Sequence, residues 1–89
     1  MGYLEFLGMR IINKKLKMRS WRRGTKEMDL ILGPFADKNI DNLSEKDLFA
    51  YEELLKCDDH QIYNWILYKE KIPGNLEKIV SFIQKSLKN

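Results

Sequence analysis

The stretch Gly24-Thr25-Lys26-Glu27-Met28-Asp29-Leu30-Ile31-Leu32-Gly33-Pro34-Phe35 decides the class of this fold. Met28, Ile31, Leu32 and Phe35 fall at i, i+3, i+4 and i+7, which puts all four on one face of a helix. With Gly24 read as the N-cap, Glu27 takes the third helical position. A carboxylate there answers free backbone N–H groups and the positive end of the helix dipole. Gly33-Pro34 is expected to weaken or kink the end of this helix.

The same rhythm extends in both directions. Upstream, a first helix is expected from about Met9 to Ser20, with Ile12, Leu16 and Met18 as a thin apolar stripe and lysines and arginines on the remaining faces. Gly24 interrupts it and suits a tight helix-to-helix junction. Downstream, residues 37–42 are expected to form a polar loop. Ser44 caps a third helix, with Asp47 three residues on and Leu48, Tyr51 and Leu55 facing inward. Asp58 and Gln61 read as the N-terminal pair of a fourth helix. That helix carries Ile62, Trp65, Ile66 and Lys69 on one stripe. Ile72-Pro73-Gly74 stops it, and Asn75 caps a fifth helix with Leu76, Ile79, Val80, Ile83 and Leu87. The expected architecture is all-α: a compact five-helix bundle with antiparallel neighbours joined by short loops.

A chain of 89 residues has room for one domain, taken here as 1–89, with residues 1–8 as a flexible extension. A domain of this size buries only about 60–65% of its unfolded surface, so its core is small. No apolar run reaches the roughly 18 residues that cross a bilayer, so no membrane insertion is expected. Residues 1–9 lack a basic segment and a cleavage site, which reads as a bacterial cytoplasmic protein. Charge is divided unevenly. Residues 1–26 carry eight basic side chains against Glu5, a net of +7, whereas residues 27–89 carry eight basic and twelve acidic, a net of −4. A basic end on an acidic body suits a partner with an acidic surface, or nucleic acid.

Catalytic equipment is sparse. The single cysteine, Cys57, excludes an internal disulfide and a cysteine-based metal site. The single histidine, His60, sits at a helix start beside Asp58 and Asp59. A surface histidine and a small buried cysteine explain the pair better than a nucleophile and its base. Their spacing also fits no tetrahedral zinc set. The chain has no phosphate-binding loop and no dinucleotide fingerprint. It reads as a binding protein with no catalytic, metal or cofactor residues of its own.

One constellation stands out: Arg19-Ser20-Trp21-Arg22-Arg23-Gly24-Thr25-Lys26-Glu27-Met28-Asp29. Arg and Trp anchor interfaces more often than other residues. Arg also offers a rigid fork to carboxylates and carbonyls. At Gly24 nothing projects, so another backbone can approach. On residue chemistry alone, Glu27 could equally be a plain helix cap and Trp21 a core side chain.

Arg23-Gly24-Thr25-Lys26-Glu27 matches an RGxxE motif, and residues 19–33 around it resemble the signature of the SdhE family, the FAD assembly factors also known as succinate dehydrogenase assembly factor 2. A second similar block is Leu54-Leu55-Lys56-Cys57-Asp58-Asp59-His60-Gln61-Ile62-Tyr63-Asn64-Trp65-Ile66, with His60 where many relatives have proline. The resemblance spans about residues 12–84. It implies a five-helix domain that is not an enzyme. Such a domain binds the flavoprotein subunit of succinate dehydrogenase, and often that of fumarate reductase, and promotes covalent attachment of FAD, a cofactor that belongs to the partner. The partner-binding residues it implies are Arg23, Gly24 and Glu27. Arg22, Trp21 and Asp29 are added as neighbours, together with Asp58 and Asp59. Changing Arg23 or Glu27 to Ala is expected to leave the fold intact and to lose flavinylation.

The alternative is a small basic nucleic-acid-binding domain. Against it, Glu27 and Asp29 stand where phosphates would approach, and helix two offers Met28, Leu30 and Ile31 where base readout needs Asn, Gln or Arg.

Overall fold

Ser20 is the buried polar side chain at the centre of the described structure. Its hydroxyl donates to the Leu16 carbonyl at 2.7 Å and shares a 2.6 Å hydrogen bond with the Tyr51 hydroxyl. The Tyr51 oxygen also lies 3.5 Å from the Leu32 carbonyl. Three helices therefore meet at one satisfied polar cluster inside an apolar core, as burial of such groups requires.

The computed structural model describes residues 2–88, apart from the side chains of residues 3, 5 and 6. It contains five α-helices: α1 (Tyr3–Ser20), α2 (Lys26–Asn39), α3 (Glu45–Leu55), α4 (Asp59–Tyr68) and α5 (Glu77–Ser86). Short 3-10 turns at Ile40–Asn42 and Gly74–Leu76 lead into α3 and α5. No strand occurs among the described residues. α1 packs on α2 and α3, α4 packs on α5, and α5 also contacts α2 and α3. The all-α, five-helix expectation holds.

Local chemistry sets most boundaries. The Ser44 hydroxyl accepts the Asp47 N–H at 3.1 Å, and Asp58 with Gln61 forms a reciprocal capping box. The cap of α2 differs from expectation. Gly24 has φ +104°, outside the extended range an N-cap occupies, so Thr25 takes the role at φ −122° and accepts the Met28 N–H at 3.3 Å. α2 also runs through Pro34 to Asn39. A proline inside a helix costs about 3 kcal/mol. Here Phe35, Ala36 and Ile40 are buried just beyond it, and apolar burial at roughly 1.5–3 kcal/mol per large side chain offsets that cost. Asn75 lies within the second 3-10 turn, and α5 begins two residues later. Lys69 terminates α4 in a left-handed conformation, φ 52°, outside the helical stripe.

The core comprises Leu16, Met28, Leu32, Phe35, Ala36, Ile40, Tyr51, Leu54, Leu55, Ile62, Trp65, Ile66, Leu76, Ile79, Val80 and Ile83. On α1 only Leu16 of the expected stripe is buried; Ile12 and Met18 are exposed, and Leu87 is exposed beyond α5. α1 begins at Tyr3, six residues before the expected start, and its Leu4, Leu7 and Ile11 face solvent. The molecule measures 42 × 26 × 25 Å. Ties between elements include Lys17 to Asp41 at 2.7 Å, with Asn13 donating to the same carboxylate at 3.2 Å. These bonds hold the Asp41 carboxyl below the usual range. Gln84 on α5 donates to the Trp65 and Ile66 carbonyls near the end of α4, at 3.1 and 3.2 Å.

Burial pushes the Tyr51 phenol up to about 12. A group whose folded pKa exceeds its unfolded value of about 10 lends stability that is complete below that value and is lost as pH rises toward the folded pKa. Tyr51→Phe is expected to cost roughly 1–2 kcal/mol at neutral pH. Its stability should also fall less steeply than that of the wild type above about pH 10. Urea unfolding at neutral and alkaline pH checks both.

Candidate functional site

The corner between α1 and α2 is built by four residues with different duties. The chain leaves α1 at Ser20, and the Trp21 N–H still reaches the Lys17 and Met18 carbonyls at 3.3 and 3.2 Å. The Trp21 indole then folds over α2. Its Nε1 donates to Asp37 at 3.0 Å, and its ring lies so close to Gly33 that a Cβ there would overlap it. Trp21 remains 39% exposed. It therefore both covers α2 and presents a ring edge at the surface. Gly24 makes the reversal itself: φ +104° is a conformation that L side chains rarely adopt, and a Cβ there would meet nothing within 4 Å. The glycine is required by the backbone turn, and the space over it is open.

Arg23 is turned inward, with a side chain only 12% exposed. Its guanidinium donates through Nε to Asp59 Oδ1 at 2.7 Å, through Nη1 to the Leu55 carbonyl at 2.6 Å and through Nη2 to the Cys57 carbonyl at 2.8 Å. Leu55 ends α3 and Asp59 opens α4. A cation thus answers carbonyls left unpaired at the C-terminus of α3, where the helix dipole favours positive charge. The Arg23 N–H is held in turn by Asp29 Oδ1 at 2.7 Å. One arginine pins the α1–α2 corner to the α3–α4 corner. The expectation that Arg23→Ala leaves the fold intact is therefore corrected: its loss strands two carbonyls and a carboxylate.

Of the other residues singled out in the sequence, Arg22, Gly24 and Glu27 are exposed around the corner, and Asp58 is exposed as the N-cap of α4. Asp29 and Asp59 are half-buried, each hydrogen-bonded to Arg23. The structure thus brings Arg23, Asp29 and Asp59 together as one bonded set and leaves Arg22, Gly24 and Glu27 facing outward. Sequence reasoning did not place at this site Leu55 and Cys57, which contribute only their carbonyls to it, nor Asp37, the partner of Trp21. Main-chain acceptors leave no mark in residue identity.

Cys57 and His60 have separate partners. The Cys57 thiol donates to the Glu53 carbonyl at 3.6 Å, and the His60 ring faces Asn64 at 3.5 Å. Burial raises the Cys57 pKa against the pull of Arg23, which disfavours the thiolate that a nucleophile needs. No helix among the described residues is long and apolar enough to cross a membrane.

The two charged residues of the motif should separate in unfolding experiments. Arg23→Ala is expected to cost about 2–4 kcal/mol, through unpaired buried groups. Glu27→Ala, at an exposed helical position, should cost less than about 0.5 kcal/mol. Thermal and urea melts of the two variants give the comparison, and equal losses would contradict the assignment.

Residues 14–87 match the family model described as "Flavinator of succinate dehydrogenase". Among curated proteins, the chain is 42% identical over 79 residues to the mitochondrial succinate dehydrogenase assembly factor 2 of Dictyostelium discoideum, a match that spans 88% of this chain and 56% of that relative. It is 37% identical over 82 residues to the FAD assembly factor SdhE of a Serratia species, covering 91% of this chain and 93% of the relative. The corresponding protein of Pectobacterium atrosepticum is 35% identical over 77 residues, covering 85% and 88%. The match takes in the whole corner and all five helices, in part or in full, and the chain belongs to the succinate dehydrogenase flavinator family.

Proposed function

We propose that this chain is an assembly factor that binds the flavoprotein subunit of succinate dehydrogenase in the bacterial cytoplasm and promotes covalent attachment of FAD to it. The observation that carries this reading is the family match over residues 14–87. The flavin belongs to the partner, and the helper supplies no reacting group. The fumarate reductase flavoprotein, being of the same chemical kind, is the second substrate of this reading.

The exposed side of the corner supports a division of labour. Gly24 leaves room for the partner's backbone, Glu27 and Arg22 offer charges of opposite sign, and Trp21 adds an exposed aromatic edge. Arg and Trp are common interface anchors. Arg23, Asp29 and Asp59 hold these groups in place from behind, and Asp58 lies at the margin. Such a helper acts by preferring one arrangement of the flavoprotein, since a ligand shifts a conformational equilibrium by its differential affinity for the two states. Holding a flavin and its target side chain in reacting geometry can lower a barrier by several kcal/mol, up to about 7–11 in favourable cases.

Cells lacking the native protein and supplied with Glu27→Ala or Arg22→Ala are expected to make a folded helper and a flavoprotein with little covalent FAD. In-gel flavin fluorescence measures the flavin, and immunoblotting measures the helper. Full flavinylation by both variants would remove the corner from the interface.

A further inference from the structure

α2 carries a second surface on the same side as Glu27. Glu27, Leu30, Ile31, Pro34 and Lys38 follow at helical spacing along one face, over roughly 16 Å. Beyond Glu27 this face forms one wall of an open groove of about 720 Å³, whose other wall is α5. Phe35 and Phe82 meet at its floor, edge to face, with centroids 5.4 Å apart. Leu30, Leu87 and Phe82 remain 56%, 45% and 37% exposed along it. Pro34, on this wall, has no N–H to give the Leu30 carbonyl.

The groove is lined by cationic side chains and by no acidic ones. Lys38, Lys78 and Lys85 line it, although residues 27–89 are net acidic at −4. Lys78 shares its charge with Asp47 at 3.3 Å; Lys38 and Lys85 are exposed at the rim. An apolar floor between cationic rims is complementary to a segment with apolar side chains on one face and carboxylates at its edges. The slot is concave and bounded by two helices, which suits a helix or an extended strand of protein better than a flat lipid surface.

We propose that the α2–α5 groove is a second docking surface, and that it takes an acidic amphipathic segment of the flavoprotein bound at the glycine corner. This rests on the function proposed above. The common face of α2 makes the two surfaces continuous, so a single partner reaches from Glu27 to Lys38. The groove supplies apolar area and steering charge, and the corner supplies register.

The test is the affinity of the full chain for the FAD-free flavoprotein subunit of succinate dehydrogenase, measured by calorimetry at two salt concentrations. The variants are Lys38→Glu/Lys85→Glu and Leu30→Glu, all at exposed positions, with thermal melts as the control for folding. Lys38→Ala/Lys85→Ala replaces the charge reversal if that variant misfolds. Each variant is expected to weaken binding about tenfold or more, and the lysine variants to flatten its salt dependence. Affinity within about twofold of wild type, while Glu27→Ala still weakens binding, would overturn the groove and leave the proposed function standing. A change in self-association alone would assign the groove to a second copy and overturn the proposal. A wild-type chain with no affinity for the flavoprotein would sink the underlying reading itself.

Discussion

The three hydrogen bonds of the Arg23 guanidinium are the constraint on which the arrangement of the corner depends. α1 and α2 form one packed pair, α4 and α5 another, and α3 lies between them. Arg23 donates across the seam to the end of α3, to the turn after it and to the first residue of α4. A lysine could not do this, because one ammonium cannot span three acceptors held in the plane of a fork. Behind it, the Ser20–Tyr51 pair ties the end of α1 to α3 within the core. The turn at Gly24 is therefore fixed from both sides, and the residues it carries outward are presented on a rigid support.

This separates two roles that a motif alone merges. Arg23 and Glu27 stand four residues apart and read as a matched pair of charges. In the fold they point to different environments: one is nearly enclosed and bonded through each of its three guanidinium nitrogens, the other exposed on the first turn of α2. Under the proposed function, loss of either weakens partner binding by different physics, Arg23 through the frame and Glu27 through the contact. A stability measurement distinguishes them where an activity measurement cannot.

What was legible in the sequence was local. Ser44 with Asp47 and Asp58 with Gln61 act within one helical turn, so their identities and spacing declare them. The α5 positions Ile79, Val80 and Ile83 were equally plain, since that helix lies across several others and buries a continuous face. α1 was misjudged because it is covered on one narrow side: Leu16 and Ser20 are buried, while Ile12 and Met18 are not. Periodicity reports an apolar face only where neighbours cover it. The choice of Thr25 over Gly24 as cap depended on a backbone angle that residue type does not fix. The role of Arg23 was hidden for a stronger reason. Its acceptors lie 32 to 36 residues away, and two of them are carbonyls.

A helper without reacting groups must act through differential affinity, and that sets what its surface needs. To move a two-state partner from mostly unproductive to mostly productive takes roughly 5.5 kcal/mol of preference for one state. Exposed ion pairs at a corner contribute only about 0–1 kcal/mol each, so charges around Gly24 cannot supply this by themselves. Apolar area withdrawn from water can, at about 25 cal/mol per Å², once it exceeds the cost of association. That area must also differ between the partner's two states, or it adds affinity without bias. A rigid frame matters here for a physical reason. Under the proposed function, a corner free to relax would fit both states of the flavoprotein and favour neither, whereas one held in place by Arg23 discriminates between them.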